Sequence, residues 1–210
     1  MAFFWGITNY REKIMYEIIW HGRGGQGVVV AAQILAEAAY LEGFKGVTSA
    51  PTFGPERRGA PLTASTRVSK EPIRIFSQID RADIVAILDE SILKVVNIMG
   101  QARPGALIII NTQLTPDHFD FPGSDIATVD AVSIAIKHHL YKEGAPVINT
   151  PPLGTLVKAT EMVSLDNIER ALQGKLHKEA VFKNFAAVKA AYEETRIQRA
   201  KPRLKKITNG

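Results

Sequence analysis

Along the chain the period of the apolar positions changes repeatedly, and each change marks an element. Residues 16–20, YEIIW, form a run of strand-forming side chains. Beyond a glycine-rich stretch, small and apolar residues recur at helical spacing to about Leu41, with Gly43 as the expected stop. Residues 45–49 read as a short second strand. Residues 62–68, LTASTRV, alternate, as do residues 73–76, IRIF; with SKEP between them they predict a β-hairpin. Residues 83–88 and 105–110 are continuous apolar runs, the pattern of strands buried on both faces, and residues 125–129 make a further short strand. Helices are predicted at 92–99 behind a cap at Asp89-Glu90-Ser91, at 130–141, and at 152–163, 166–173 and 178–199. Residues 144–150 read as a connector. Strands alternating with helices predict an α/β fold: a three-layer α/β/α sandwich whose sheet is mixed but mostly parallel, with the hairpin supplying antiparallel strands.

Composition divides the chain. Met15 is an ordinary start for a domain whose first strand begins at Tyr16, so residues 1–14 are expected to be an N-terminal extension to one α/β domain over 15–195. Residues 196–210 hold six of the 26 Lys and Arg and none of the 21 acidic residues. The net charge of +5 therefore belongs to a basic tail, because the remainder has 20 basic against 21 acidic groups. Such a tail is a solvated end, or it docks on an acidic partner or an anionic ligand; nucleic-acid binding through it is a minor alternative. No apolar run approaches the ~20 residues of a bilayer span, and the start lacks a cleavable apolar centre, so a cytoplasmic protein with no membrane partner is expected. The absence of cysteine excludes disulfides, thiolate-held zinc and any iron–sulfur cluster ligated by this chain. If the protein serves electron transfer, the metal sits on a partner.

The stretch His21-Gly22-Arg23-Gly24-Gly25-Gln26-Gly27 joins the first strand to the first helix. Glycines let the backbone approach an anion, and the unpaired N–H groups of a helix N-terminus point at it. Gly22, Gly24 and Gly27 complete a G-x-G-x-x-G spacing, which alone is a weak signal. A nicotinamide site also calls for an acid at the end of the second strand, to hold the ribose; VTSAP stands there instead. The following segment, FGPERRGAP, sets Arg57 and Arg58 side by side on a proline-stiffened loop, expected on the same edge of the sheet as the glycines. Arginine forks suit phosphate oxygens, so the two arginines and the helix amides together form a polyphosphate cradle. Each arginine could instead pair with Glu56 or Asp89. His21 could act as a general base or simply pack and hydrogen-bond, Asp89 reads as a helix cap, and His138-His139 reads as surface. Asn149 could turn its own chain or read a ligand group. No Ser/His/Asp or Cys/His set can be assembled, so no catalytic residue and no metal site is predicted; the chain reads as the binding half of something larger.

The order HGRGGQG, FGPERRGAP, TASTRVS, IVAILDESIL, VDAVSIA and INTPPLGTLVKAT, from about Met15 to Tyr192, resembles the gamma subunit of the 2-oxoacid:ferredoxin oxidoreductases, the pyruvate and 2-oxoisovalerate group. The resemblance implies a multi-subunit enzyme that oxidatively decarboxylates a 2-oxoacid with thiamine diphosphate, passing electrons through iron–sulfur clusters to ferredoxin and the acyl group to coenzyme A. It implies alpha and beta partner subunits holding thiamine diphosphate and a ferredoxin-like delta subunit holding clusters, with neither group on this chain. Carried over by motif, it places coenzyme A contacts on Gly22, Arg23, Gly24, Gly25, Gln26, Arg57, Arg58 and Asn149. Relatives can have lysine where Arg57 and Arg58 stand, so the charge carries over better than the geometry. The N-terminal extension and the long basic end depart from the family pattern. Two other readings stay open: a purely structural assembly subunit of such a complex, and a stand-alone dinucleotide-binding reductase.

Overall fold

The computed structural model describes residues 13–51, 58–75 and 77–200. The chain runs β1 (Met15–Arg23), α1 (Val28–Glu42), β2 (Gly46–Pro51), β3 (Pro61–Ser69), β4 (Ala82–Ile87), α2 (Ile98–Gln101), β5 (Ala102–Asn111), β6 (Asp125–Val129) and α3 (Ala131–Lys137). The two-residue strands β7 (Tyr141–Lys142) and β8 (Ala145–Pro146) follow, then α4 (Pro151–Thr160), α5 (Leu165–Gln173), α6 (Lys178–Glu194) and β9 (Arg196–Gln198). Short 3-10 turns, Glu90–Lys94 and Pro116–His118, precede α2 and β6.

The main sheet has seven strands in the order β2-β3-β1-β4-β5-β6-β9. Strands β2, β1, β4, β5 and β6 run one way, and β3 and β9 run against them. This is the expected mixed, mostly parallel α/β sheet, and β7 and β8 form a separate small hairpin. Alternation along the strands divides the core in two. Trp20, Ile84, Leu107 and Ala127 face the thick layer of α1 and α3–α6. Ile19, Val85, Ile87, Ile108 and Ile110 face a thinner layer that includes Ile92 and Ile98, with Phe119 and Phe121 packed on it. Burial on both faces is what the continuous apolar runs required, and each such side chain contributes about 1.5–3 kcal/mol relative to exposure.

Several predicted elements come out differently. The hairpin expected from residues 62–68 and 73–76 does not form: β3 is flanked by β1 on one side and β2 on the other, so neither edge is left for a third partner. Residues 73–75 run without strand pairing, and Phe76 lies outside the described residues. The antiparallel pairing comes instead from β3 itself and from β9. The helix expected over 92–99 divides: Val95 ends the 3-10 turn, and Asn97 caps the four-residue α2 by accepting from Gly100 N. The helix expected to reach residue 199 stops at Glu194, where Thr195 leaves helical backbone and Arg196–Gln198 adds antiparallel to β6. Arg199 pairs with Asp125 (2.7 Å) and donates to Ala159 O (3.1 Å), so the basic stretch begins inside the fold. Residues 1–12 of the expected extension and 201–210 of the tail lie outside the described residues.

From β1 the chain proceeds first to β2 and β3 on one side, then to β4 on the other. The connections reverse between β1 and β4, which opens a crevice at the carboxyl ends of those strands, the place where α/β sheets bind ligands.

Candidate functional site

The glycine loop lies at this crevice. Pairing with β3 carries β1 further than the apolar run alone implied, through His21, Gly22 and Arg23 opposite Thr63, Leu62 and Pro61. Gly22 is thus a buried strand residue, where an added Cβ would stand 2.5 Å from Val28 Cγ2 and 3.4 Å from Leu88 Cβ. The chain turns through Gly24, Gly25 and Gln26 and enters α1 at Gly27, which takes left-handed backbone (φ 78°) and supplies no side-chain cap. A Cβ at Gly27 would stand 2.7 Å from Asn149 Nδ2, so glycine is required by conformation and by space.

The segment that carries the arginines closes against this loop. Gly24 N donates to Ala60 O (2.9 Å), Gly59 N donates to Gly24 O (3.1 Å), and Arg58 bridges Gly24 in parallel. The Arg58 side chain is 75% exposed and paired with Glu143 (3.2 Å) at the tip of the β7–β8 hairpin, not with Asp89. Arg57 and Glu56 lie outside the described residues. Asn149, 7% exposed, reaches the same point from just before α4, and its buried Oδ1 has no hydrogen-bond partner. Its side chain therefore does not turn its own chain. Gly25, Gly27, Arg58 and Asn149, from three distant stretches, meet at the N-terminus of α1.

Arg23 and Gln26 are placed differently. Arg23 donates through Nε and Nη2 to Ser91 Oγ (2.9 and 2.6 Å) and through Nη1 to Gly59 O (2.9 Å). Gln26 accepts from Arg23 N (2.7 Å) and donates to Asp89 Oδ2 (2.7 Å), joining the loops that follow β1 and β4. Asp89 caps the 3-10 turn by accepting from Ser91 N (3.0 Å) and from the Ser91 hydroxyl. Burial by itself would raise the Asp89 carboxyl, but hydrogen bonds from Ser91 and Gln26 and the charge of Arg23 hold it below the usual carboxylate range.

Beside the loop a cleft of about 580 Å³ is lined by Gln26, Leu88, Asp89, Glu90, Asn111 and Asp130, among others. Asn111 stitches its floor, donating to Leu88 O (2.8 Å) and accepting from Ala131 N (2.9 Å). His21, 2% exposed, lies on the other face, its ring between Gln101 (2.7 Å) and Thr63 (3.3 Å). That is the packing role, not that of a base with access to a ligand. His138 is partly buried and His139 exposed. Among the described residues no group of three or more His, Asp or Glu is arranged to hold a metal, and no helix is long and apolar enough to cross a membrane. Sequence reasoning saw Ser91 only as part of a helix cap and missed Glu143; the Glu-Gly pair at 143–144, which turns with φ of 51° and 79°, was the available signal for the latter.

A dinucleotide site fits poorly. With β3 inserted between β1 and β2, the end of β2 lies two strand spacings, about 10 Å, from β1, and it ends at Pro51 without an acid.

Fold and site together define an α/β domain whose glycine loop sits at a sheet switch point, with no nucleophile set among the described residues. The family described as pyruvate ferredoxin/flavodoxin oxidoreductase matches residues 17–194, and the chain belongs to that family, as a subunit of the gamma type. It is 43% identical over 185 residues to the pyruvate/ketoisovalerate oxidoreductases common subunit gamma of Thermococcus litoralis, covering 86% of this chain and 97% of that one. The pyruvate synthase subunit PorC of Methanothermobacter marburgensis is 39% identical over 180 residues, covering 86% and 97%. The crystal structure of the pyruvate oxidoreductase subunit PorC of Thermotoga maritima superposes with a TM-score of 0.74 at 31% identity, covering 89% of this chain and 99% of that one.

Proposed function

We propose that this chain supplies one wall of the coenzyme A site in a thiamine diphosphate-dependent 2-oxoacid:ferredoxin oxidoreductase. In that assembly alpha and beta subunits hold the thiamine cofactor, a ferredoxin-like delta subunit holds iron–sulfur clusters, and ferredoxin takes the electrons. Membership of the family and the names of the relatives support the assignment to such a complex. The observation that carries the ligand reading is the convergence of the glycine loop, Arg58 and the unpartnered Asn149 on one helix N-terminus.

The donor set suits the ligand. Coenzyme A, when bound, supplies the thiol that accepts the acyl group. Its phosphates match the Arg58 guanidinium and the amides at the start of α1, where the helix dipole adds about half a positive charge. Asn149 Oδ1 asks for a donor, which phosphate does not offer but a nucleoside hydroxyl or amine does. Arg58 and the α1 N-terminus would hold the anion and orient the ligand; Asn149 would read the group beside it.

In the assembled complex, Arg58→Ala, and more so Arg57→Ala with Arg58→Ala, should raise KM for coenzyme A about tenfold or more, the equivalent of 1.4 kcal/mol. Coenzyme A-independent decarboxylation should stay near the wild-type rate. An unchanged KM in the double variant would overturn the reading.

One observation favours the assembly-only alternative. The cleft beside the loop is lined by Asp89, Glu90 and Asp130 and by no Lys or Arg, a poor setting for a polyanion. Calorimetric titration of the complex with coenzyme A, wild type against the Arg57→Ala, Arg58→Ala double variant, decides between the two, because the structural reading requires the same Kd in both.

A further inference from the structure

Arg23 reads in the sequence as one more cation for the phosphates, yet the side chain is committed within the protein. Its guanidinium spans from Ser91 Oγ to Gly59 O, the residue beside Arg58. Behind Ser91 stands Asp89, 3.6 Å from Arg23 Nε. Every group turned toward the Asp89 carboxylate is a donor: Ser91 N–H and O–H, the Gln26 amide N–H and the Arg23 guanidinium. Only an acceptor-only side chain satisfies that arrangement. With the Ser91 proton directed at Asp89, the Ser91 oxygen is free to accept from Arg23.

We infer that Asp89, Ser91 and Arg23 are positioning residues that fix the Gly59 carbonyl and, through it, hold Arg58 against the glycine loop that opens α1. This rests on the proposed role of Arg58 at the coenzyme A site. The relay begins at the loop after β4, crosses the switch-point crevice and ends on the segment before β3 that carries Arg58. Two backbone bonds, Gly24 N to Ala60 O and Gly59 N to Gly24 O, make the same connection without side chains. Arg23 adds the tie to the β4 side, which the backbone bonds do not provide. Substituting Asp89→Asn places an amide NH₂ against donors whichever way the amide is turned. Arg23→Lys keeps the charge but cannot reach Ser91 and Gly59 together, because the fork is lost.

The test is a double-mutant cycle on the assembled complex, read by calorimetric Kd for coenzyme A. A second readout, independent of ligand, is the rate of tryptic cleavage after Arg58 in the full-length chain. Asp89→Asn and Arg23→Lys should each weaken binding about fivefold and speed cleavage after Arg58. In the Arg58→Ala background neither should weaken binding further, since residues that act through a shared partner do not add. If Arg23 were a direct phosphate contact through its charge, Arg23→Lys would retain most of the affinity, and the inference would fail. It would fail equally if Asp89→Asn weakened binding by the same factor with and without Arg58, the mark of a general structural effect. Should Arg58→Ala alone leave Kd unchanged, the coenzyme A reading falls, and the relay then stands or falls on the cleavage rates. Two variants at opposite ends of the relay keep the test intact if one does not fold.

Discussion

His21 illustrates how one residue beside the glycines can serve stability and not chemistry. It donates through Nε2 to Gln101 Oε1 and accepts at Nδ1 from the Thr63 hydroxyl, so the neutral ring satisfies both neighbours. Burial pushes its pKa below the ordinary histidine value, and the Gln101 hydrogen bond opposes only part of that. The unfolded chain therefore binds the proton first as pH falls. Stability from this residue is full above about pH 6.5, the unfolded value, and is lost as pH falls from there to the folded value. In His21→Asn this loss should vanish, so the stability gap between wild type and variant should narrow between pH 7.5 and pH 5.5. Denaturation at a series of pH values checks it, and parallel curves would refute it. At this scale the motif's glycines and the placing of the Arg58 segment on the same edge of the sheet were legible in the sequence. The commitment of Arg23 was not, because its partners Gly59 and Ser91 lie 36 and 68 residues away. Spacing along a chain does not show which side chain meets an arginine across a sheet.

Elements were legible where burial dictates the pattern and illegible where pairing decides. The central strands announce themselves because both faces are covered. Residues 73–76 have an equally good local pattern, but 73–75 find β3 already paired on both edges. The crossing of α4 and α6 is a contact that pattern alone does not reveal. Gly154 lies against the backbone of α6, where an added Cβ would meet Val188 O at 2.1 Å and Tyr192 N at 2.9 Å. Backbone atoms cannot swing aside as a side chain can. Gly154→Ala should therefore force the helices apart and destabilise the protein by about 1–3 kcal/mol, the usual cost of overpacking. Urea denaturation of the purified chain measures this. A loss no larger than that of an exposed substitution, about 0.5 kcal/mol, would show that the helices separate freely.

At the scale of the molecule, the two ends of the sheet have separate tasks. The carboxyl end carries the glycine loop, the cleft and Arg58. The amino end carries an ion network across four neighbouring strands: Glu17 on β1, Arg67 on β3, Asp83 on β4 and Arg103 on β5. Arg67 Nε meets Glu17 Oε1 at 2.8 Å, Arg103 Nη1 meets Asp83 Oδ2 at 3.0 Å, and Arg103 also pairs with Glu17. Asp83 further accepts from Glu17 N (3.0 Å) and pairs with Lys13. Glu17 and Arg67 are both buried, so removing one charge leaves the other without compensation in a poorly solvated place. Glu17→Gln should therefore cost about 3–5 kcal/mol of folding stability, the range for breaking a buried pair. The same variant should leave coenzyme A affinity of the surviving folded complex unchanged. Six residue steps along the strand, about 20 Å, separate Glu17 from Arg23, and the intervening β1 is held on both sides. Denaturation and calorimetry on one preparation give both numbers. A small stability loss would show that water reaches Arg67 and screens it. A weakened affinity with the fold intact would show that the two ends of β1 are coupled, and the division of tasks along the strand would be wrong.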